Sequence, residues 1–272
     1  MSNNLREFEN SRTKSGFKKT AFYRVLRSLF MPIRVLRSKI KSNIKTLYLR
    51  IKYRNNSFDK EFEWDWKATN FNRVAAVNML VSKIPDCSYL EIGCADHVLF
   101  NSVPVLSKVG VDPANGNHVN LTSDEFFATN KSLFDVIFID GLHTYEQVRK
   151  DLVNSMRFLK PGGWIALHDM LPRTWKEQHV PVIVVNETWT GDVWKVAFEL
   201  AQTAGIDFKI LKIDYGVGVL KIINREPSLA NLSAELNEKQ FEYFYENISK
   251  LPLVEWTDCQ DWLNSRPSRD VA

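Results

Sequence analysis

The sequence predicts an α/β fold: a mostly parallel seven-stranded sheet closed by an antiparallel hairpin, with helices on both faces. Three observations predict it. First, Phe134 to Leu171 contains two apolar runs, Val136–Ile139 and Trp164–Leu167. Between them lie a helical segment from about Tyr145 to Leu159 and a Lys160-Pro161-Gly162-Gly163 turn. Apolar runs of this kind mark strands buried on both faces, and the intervening helix makes a parallel βαβ unit. Second, the runs before this unit also end in glycine or an acid: Tyr89–Ile92 before Gly93, and Val109–Val111 before Asp112. Third, Phe208–Ile213 and Val217–Ile222, joined through Asp214-Tyr215-Gly216, read as a closing hairpin.

Residues 1–19 are polar and read as disordered. From Phe22 to Ile51, apolar residues keep helical spacing along one side, with Arg27, Arg34, Lys41, Lys45 and Lys52 beside that stripe. Pro32 marks a kink or the start of a second helix. Residues 55–70 place Phe58, Phe62, Trp64 and Trp66 among acids, as a connector capping the body. A helix follows from about Asn72 to Lys83 and ends before Pro85. Val119–Leu121 reads as a short third strand, and Thr122-Ser123-Asp124-Glu125 as a helix start. Trp189 to Lys195 leads into a helix ending near Gly205, and residues 228–272 read as mostly helical. The expected organisation is a basic arm (1–60), a catalytic domain (61–226) and a C-terminal helical tail (227–272).

Composition narrows the class. The chain of 272 residues is 44% hydrophobic and 25% charged, as in an ordinary globular protein. Its net charge of +4 conceals an asymmetry. Residues 1–60 hold 16 Lys+Arg against three acids, a net of +13, and the remainder holds 20 against 29, a net of −9. The arm therefore calls for an anionic partner that the body does not. An anionic membrane surface, met through residues 20–54, suits an amphipathic basic helix. Docking of the stripe on protein is the alternative. Nucleic acid is disfavoured, because no aromatics interleave with the basic face. Cys87, Cys94 and Cys259 show no metal or disulfide spacing. With no apolar run near the roughly 18 residues of a spanning helix and no signal-peptide core, the expectation is a cytoplasmic protein, peripheral at most on the cytoplasmic face of a membrane.

Ligands of parallel sheets bind outside the carboxyl ends of the strands. Asp140, His143, His168 and Asp169 all fall at such ends, so four ionisable groups converge on one crevice. Glu91-x-Gly93 allows close approach of a ligand, and Asp112, 21 residues after Glu91, has the spacing of a ribose-binding acid. The loop Gly93-Cys94-Ala95-Asp96-His97-Val98 has one glycine and an added acid, which suits a cationic cofactor better than a pyrophosphate. His143 and His168 are both candidate general bases, with Asp140 and Asp169 as catalytic or orienting groups. His97 and His118 read as structural, and Asp192 as an N-cap. Trp175, Trp189 and Trp194 offer stacking faces for a sugar but are more often core in a chain this rich in tryptophan.

The series LEIGCAD, VGVDP, TSDEFF, FDVIFIDGLHTYEQV, LKPGGWIALHDM and GDVWK, in this order, resembles the class I S-adenosylmethionine-dependent methyltransferases. It is most similar to the branch with an ID-G-x-H-x-Y signature and a later His-Asp, found among bacterial polysaccharide and secondary-metabolite enzymes. The resemblance covers roughly residues 70–222. It implies the Rossmann-like fold of that class and S-adenosyl-L-methionine as cofactor. Carried over by position, Glu91 and Gly93 lie beneath the methionine part, Asp112 takes the ribose hydroxyls, and Ser123 and Asp124 lie along the adenine. Asp140 faces the methionine amino group and the reaction site. The usual third small residue of the first motif is replaced around Asp96-His97. Metal-dependent relatives carry Asp-Asn or Asp-Asp after strand five, whereas this chain has His168-Asp169-Met170, and a thioether is a poor ligand for a hard cation. The expectation is no metal, with Asp140, His168 and Asp169 as the set if one is bound.

The expected function is O-methylation of a hydroxyl on a saccharide or glycolipid precursor. The alternatives are a nicotinamide-dependent oxidoreductase on the same fold class and a non-catalytic membrane- or anion-binding module.

Overall fold

The computed structural model describes residues 39–114, 119–184, 187–223 and 227–264. The chain divides into two units, Met1–Arg54 and Asn55–Ala272. In the first, residues 39–52 are helical. The expectations for residues 1–38, including the stripe from Phe22 and the break at Pro32, lie outside the described residues, as does His118.

The second unit is built on seven strands: β1 (Ser88–Ile92), β2 (Ser107–Val111), β3 (Phe134–Ile139), β4 (Leu159–Leu167), β5 (Ile206–Leu211), β6 (Val217–Ile222) and β7 (Leu253–Val254). Their order is β2-β1-β3-β4-β6-β5-β7. β1 to β4 run parallel, β6 is antiparallel to β4 and β5, and β7 joins the free edge of β5 in parallel. The helices are α1 (Arg73–Ser82), α2 (Val98–Ser102), α3 (Ser123–Thr129), α4 (Tyr145–Arg157), α5 (Trp175–Gln178), α6 (Trp194–Ala201), α7 (Ser233–Leu236), α8 (Phe241–Asn247) and α9 (Trp256–Asn264).

Both sheet faces are covered, as the continuous apolar strands require. On one face, α1, α2 and α9 pack over Tyr89, Val136, Phe138, Trp164, Ala166 and Val219. On the other, α4 packs on β3 and β4 and against α3 and α6. β1 and β3 are neighbours although the chain visits β2 between them. This reversal of strand order is where a parallel sheet opens a crevice.

Two expectations are corrected. Val119–Leu121 is not a strand; Val119 makes one isolated bridge to Val111. The seventh strand comes instead from Leu253–Val254, in the stretch expected to be a helical tail. Two residues carry no periodicity, so the pairing partner on β5 decides the strand. The following α9 buries Trp256, Cys259 and Leu263 in the same core as α1. The Thr122 helix start is a full capping box: its hydroxyl accepts from Glu125 N, and the Glu125 carboxylate accepts from Thr122 N. Such caps contribute about 1 kcal/mol.

Candidate active site

Register builds the crevice. Ile92 pairs with Val111 on one side and Ile139 on the other, and Ile139 pairs with Leu167. The next residue of each strand (Gly93, Asp112, Asp140 and His168) therefore emerges in one row at the carboxyl end of the sheet.

Gly93 adopts φ +86°. A Cβ there would lie 2.1 Å from the Asp140 carbonyl oxygen, so only glycine lets the β1 and β3 loops approach this closely. Glu91 is 2% exposed. Burial pushes its carboxyl up to about 7, with Asp140 adding to the shift and the hydrogen bond from Tyr89 opposing it. Tyr89 Oη donates to Glu91 Oε2 at 2.5 Å. Asp112 accepts from Ala95 N at 3.0 Å through one oxygen and from Ala114 N at 2.8 Å through the other, which ties the first loop to the end of β2. Ala95 and His97 both have positive φ, so this loop holds a turn that L-residues seldom adopt. Ser123 and Asp124 open α3, and the Gln147 side-chain amide of α4 donates to both at 3.1 and 3.2 Å.

The ionisable cluster lies beside these groups. His143 Nδ1 is 2.8 Å from Asp169 Oδ2 and 3.3 Å from the Trp189 carbonyl oxygen. Both partners are acceptors, which assigns the proton to Nδ1 and leaves Nε2 as the titrating atom, 3.5 Å from Asp140 Oδ1. The ring stacks on Trp189 with centroids 5.4 Å apart. Burial alone would lower the His143 pKa, but the hydrogen bond to Asp169 and the charges of Asp169 and Asp140 outweigh it and raise the ring above its ordinary value.

His168 has a different situation. It is 7% exposed, with Nδ1 at 3.2 Å from Asp140 Oδ1 and 3.3 Å from Asp169 Oδ1. Its Nε2 is 3.5 Å from Asp214 Oδ2, an ion-pair distance without hydrogen-bond geometry. Burial opposes its charge, yet Asp169 and Asp140 hold the imidazolium well above the usual range. Asp169, at φ +61°, is held well below the usual carboxylate range by His168 and His143 despite its burial. Three carboxylates thus face one guanidinium and two imidazoles, which balance their charge when both rings are protonated.

The four strand-end residues expected to converge do so, and the structure adds Arg73 and Asp214. Arg73 N and Nη1 donate to Asp214 Oδ2 at 3.0 and 2.9 Å, and its Nε is 3.9 Å from Asp140 Oδ2. Asp214 and Tyr215 occupy positive φ in the β5–β6 turn, and their loop accepts backbone hydrogen bonds from Met170 and Leu171. The turn residues announce only a hairpin, and nothing local in the sequence says that it folds over the crevice. Asp192 is a cap, but for another helix than expected: its Oδ1 accepts from Tyr145 N at 2.7 Å and so caps α4, whose own Thr144 makes no side-chain cap. Trp175 and Trp194 are buried in the core, while Trp189 faces His143.

For a cation, the donor set differs from the expected Asp140, His168 and Asp169. Among the described residues, Asp140, His143 and Asp169 each offer a ligand atom, all within 4.8 Å of one another. His168 is not in the group. An ion held through His143 Nδ1 would have to replace the hydrogen bond to Asp169.

A second feature leads away from the crevice. Phe62, Trp64, Trp66 and Tyr215 form a row of ring contacts, with Phe62 and Trp64 stacked at 4.3 Å. Phe62 N bonds the Arg173 carbonyl, and a cavity of about 370 Å³ lies among Glu61 to Asp65, Arg173 and Thr174. Arg173 is already paired with Glu177, whereas Glu63 makes no such contact.

Residues 79–170, about a third of the chain, match the family model of a methyltransferase domain. No curated protein matches. Among solved structures, an N-methyltransferase from Bradyrhizobium japonicum is 16% identical over 57% of this chain and 95% of its own, with a TM-score of 0.37. An O-methyltransferase from Bacillus cereus, in complex with S-adenosylhomocysteine, is 14% identical over 66% of this chain and 90% of its own, with a TM-score of 0.41. The family match spans β1 to β4 and every crevice residue from Glu91 to Asp169, leaving Arg73 and Asp214 outside.

Proposed function

We propose that this protein is an S-adenosylmethionine-dependent O-methyltransferase acting on a hydroxyl of a saccharide or glycolipid precursor. The observation that carries the reading is the row of Gly93, Asp112 and Asp140 at the strand ends, with the His143–Asp169 pair beside it. The residues suit the cofactor. Gly93 lets the loops after β1 and β3 close on each other, Asp112 presents a carboxylate at the end of β2, and the buried Glu91 and the partly exposed Asp140 favour a cationic ligand. The bound cofactor supplies an electrophilic methyl group on a sulfonium.

With the cofactor and acceptor bound, His143 Nε2 would accept the proton of the acceptor hydroxyl, and Asp169 would stabilise the imidazolium that results. His168 and Arg73 hold Asp140 and Asp214 in place. No step requires a metal, and full activity in EDTA is the corresponding outcome. The ring row and the cavity beside Trp64 support a hydroxyl-rich acceptor, since stacked aromatic faces bind the apolar faces of sugars. Trp64→Ala is expected to raise KM for such an acceptor about tenfold with kcat nearly unchanged. Unchanged KM would remove this wall from the acceptor site.

Calorimetry provides the direct test. S-adenosylhomocysteine is expected to bind and NAD is not; binding of NAD alone would establish the oxidoreductase instead. Because the Glu91 carboxyl is pushed up to about 7, it is partly protonated in the free protein near neutrality. A bound ammonium favours the carboxylate, so binding releases up to about half a proton at pH 7. Titrations in buffers of different ionisation enthalpy read this release, and Glu91→Gln abolishes it.

A further inference from the structure

The helix of residues 39–52 carries an apolar face in water. Ile40, Ile44, Leu47, Tyr48 and Ile51 are 48%, 63%, 61%, 61% and 59% exposed. Their spacing places all five within one stripe of an α-helix. Lys41, Lys45 and Lys52 lie beside the stripe on one side and Lys39 lies across from it, all exposed. No Asp or Glu occurs between Glu9 and Asp59. At ~1.5 Å per residue the helix is about 20 Å long, and no described helix is long and apolar enough to cross a membrane.

We propose that this helix lies in the surface of an anionic lipid membrane. The stripe enters the boundary between headgroups and acyl chains, and the flanking lysines meet lipid phosphates. Charge complementarity selects this occupant. A second copy of the helix would oppose lysine to lysine, and a nucleic acid would satisfy the lysines but leave five large apolar side chains in water. A membrane takes up both features at once. The consequence for the proposed reaction is that the acceptor is met at the bilayer, as a lipid-linked saccharide would be.

The test uses the full chain with sedimenting vesicles of phosphatidylcholine, with and without phosphatidylglycerol. The protein is expected to pellet with the anionic vesicles, to pellet much less with neutral ones, and to be released by added salt. Ile44→Glu with Leu47→Glu should weaken binding at least about tenfold, and Lys41→Gln with Lys45→Gln and Lys52→Gln should weaken it by roughly ten- to a hundredfold. The lysine substitutions are at exposed positions, so they report on the charge contribution separately from the apolar stripe. S-adenosylhomocysteine affinity should be the same in every variant, which separates this proposal from the catalytic one. Equal pelleting on neutral and anionic vesicles, or by wild type and variants, would overturn it. So would a glutamate pair that lowers the melting temperature or dissociates a dimer, since the stripe would then be covered by protein. Binding to duplex DNA that survives the glutamate pair, with no vesicle binding, would assign the lysines to nucleic acid instead.

Discussion

His143→Ala is expected to lower kcat by about 10²- to 10⁴-fold, the usual contribution of a positioned general base. S-adenosylhomocysteine affinity should stay near wild type, because the ring acts on the acceptor side of Asp140. The pH profile tests the role more sharply than the loss does. In the proposed reaction neutral His143 accepts the proton, and Asp169 and Asp140 raise its pKa above the ordinary value of 6.5. The rate should therefore climb as pH rises through a midpoint above 6.5. Asp169→Asn removes the negative charge that favours the imidazolium, so the acid limb moves to lower pH. The plateau falls too, since Nδ1 loses its charged acceptor and the ring its orientation. A limb unmoved in Asp169→Asn would assign the titration to another group, and unimpaired turnover in His143→Ala would remove the base assignment.

The second large effect is expected from a position with no chemistry. Gly191 has φ +60°, and a Cβ on it would lie 1.6 Å from the His143 carbonyl oxygen. That oxygen belongs to the backbone, so relief requires one loop to move. Gly191→Ala should cost about 2–4 kcal/mol of stability, read as a melting temperature lower by about 5–15 °C. It should also lower kcat, because Gly191 lies between Trp189, which stacks on His143, and Asp192, which caps α4. A variant with wild-type stability and turnover would show that the two loops need not touch.

These predictions rest on different levels of information. The four strands that carry the crevice were legible because each is an apolar run ending at a glycine, an acid or, for β4, the His168-Asp169 pair, and local pattern suffices for such runs. Thr122 to Glu125 was legible for the same reason, since a capping box is a contact between neighbours in sequence. The division of labour between the histidines was not. His143 and His168 both follow strand ends, and only packing sets one on Asp169 and the Trp189 carbonyl, with Nε2 3.5 Å from Asp140, and surrounds the other with Asp140, Asp169 and Asp214. Arg73 and Asp214 are 141 residues apart and meet across the fold, so no spacing rule connects them. Asp192 reads as a cap from its neighbours, but the helix that it caps begins 47 residues earlier.

By itself, the sequence determined the parallel strands, the ionisable groups at their carboxyl ends and the basic charge of the first 60 residues. Each is written in residues close together along the chain, through period, turn chemistry and net charge. Tertiary structure alone decided that Leu253–Val254 completes the sheet, that the β5–β6 turn folds over the crevice, and how the two imidazoles share the three carboxylates. Those outcomes depend on which distant groups share a buried space, where desolvation and neighbouring charges set the protonation of each ring.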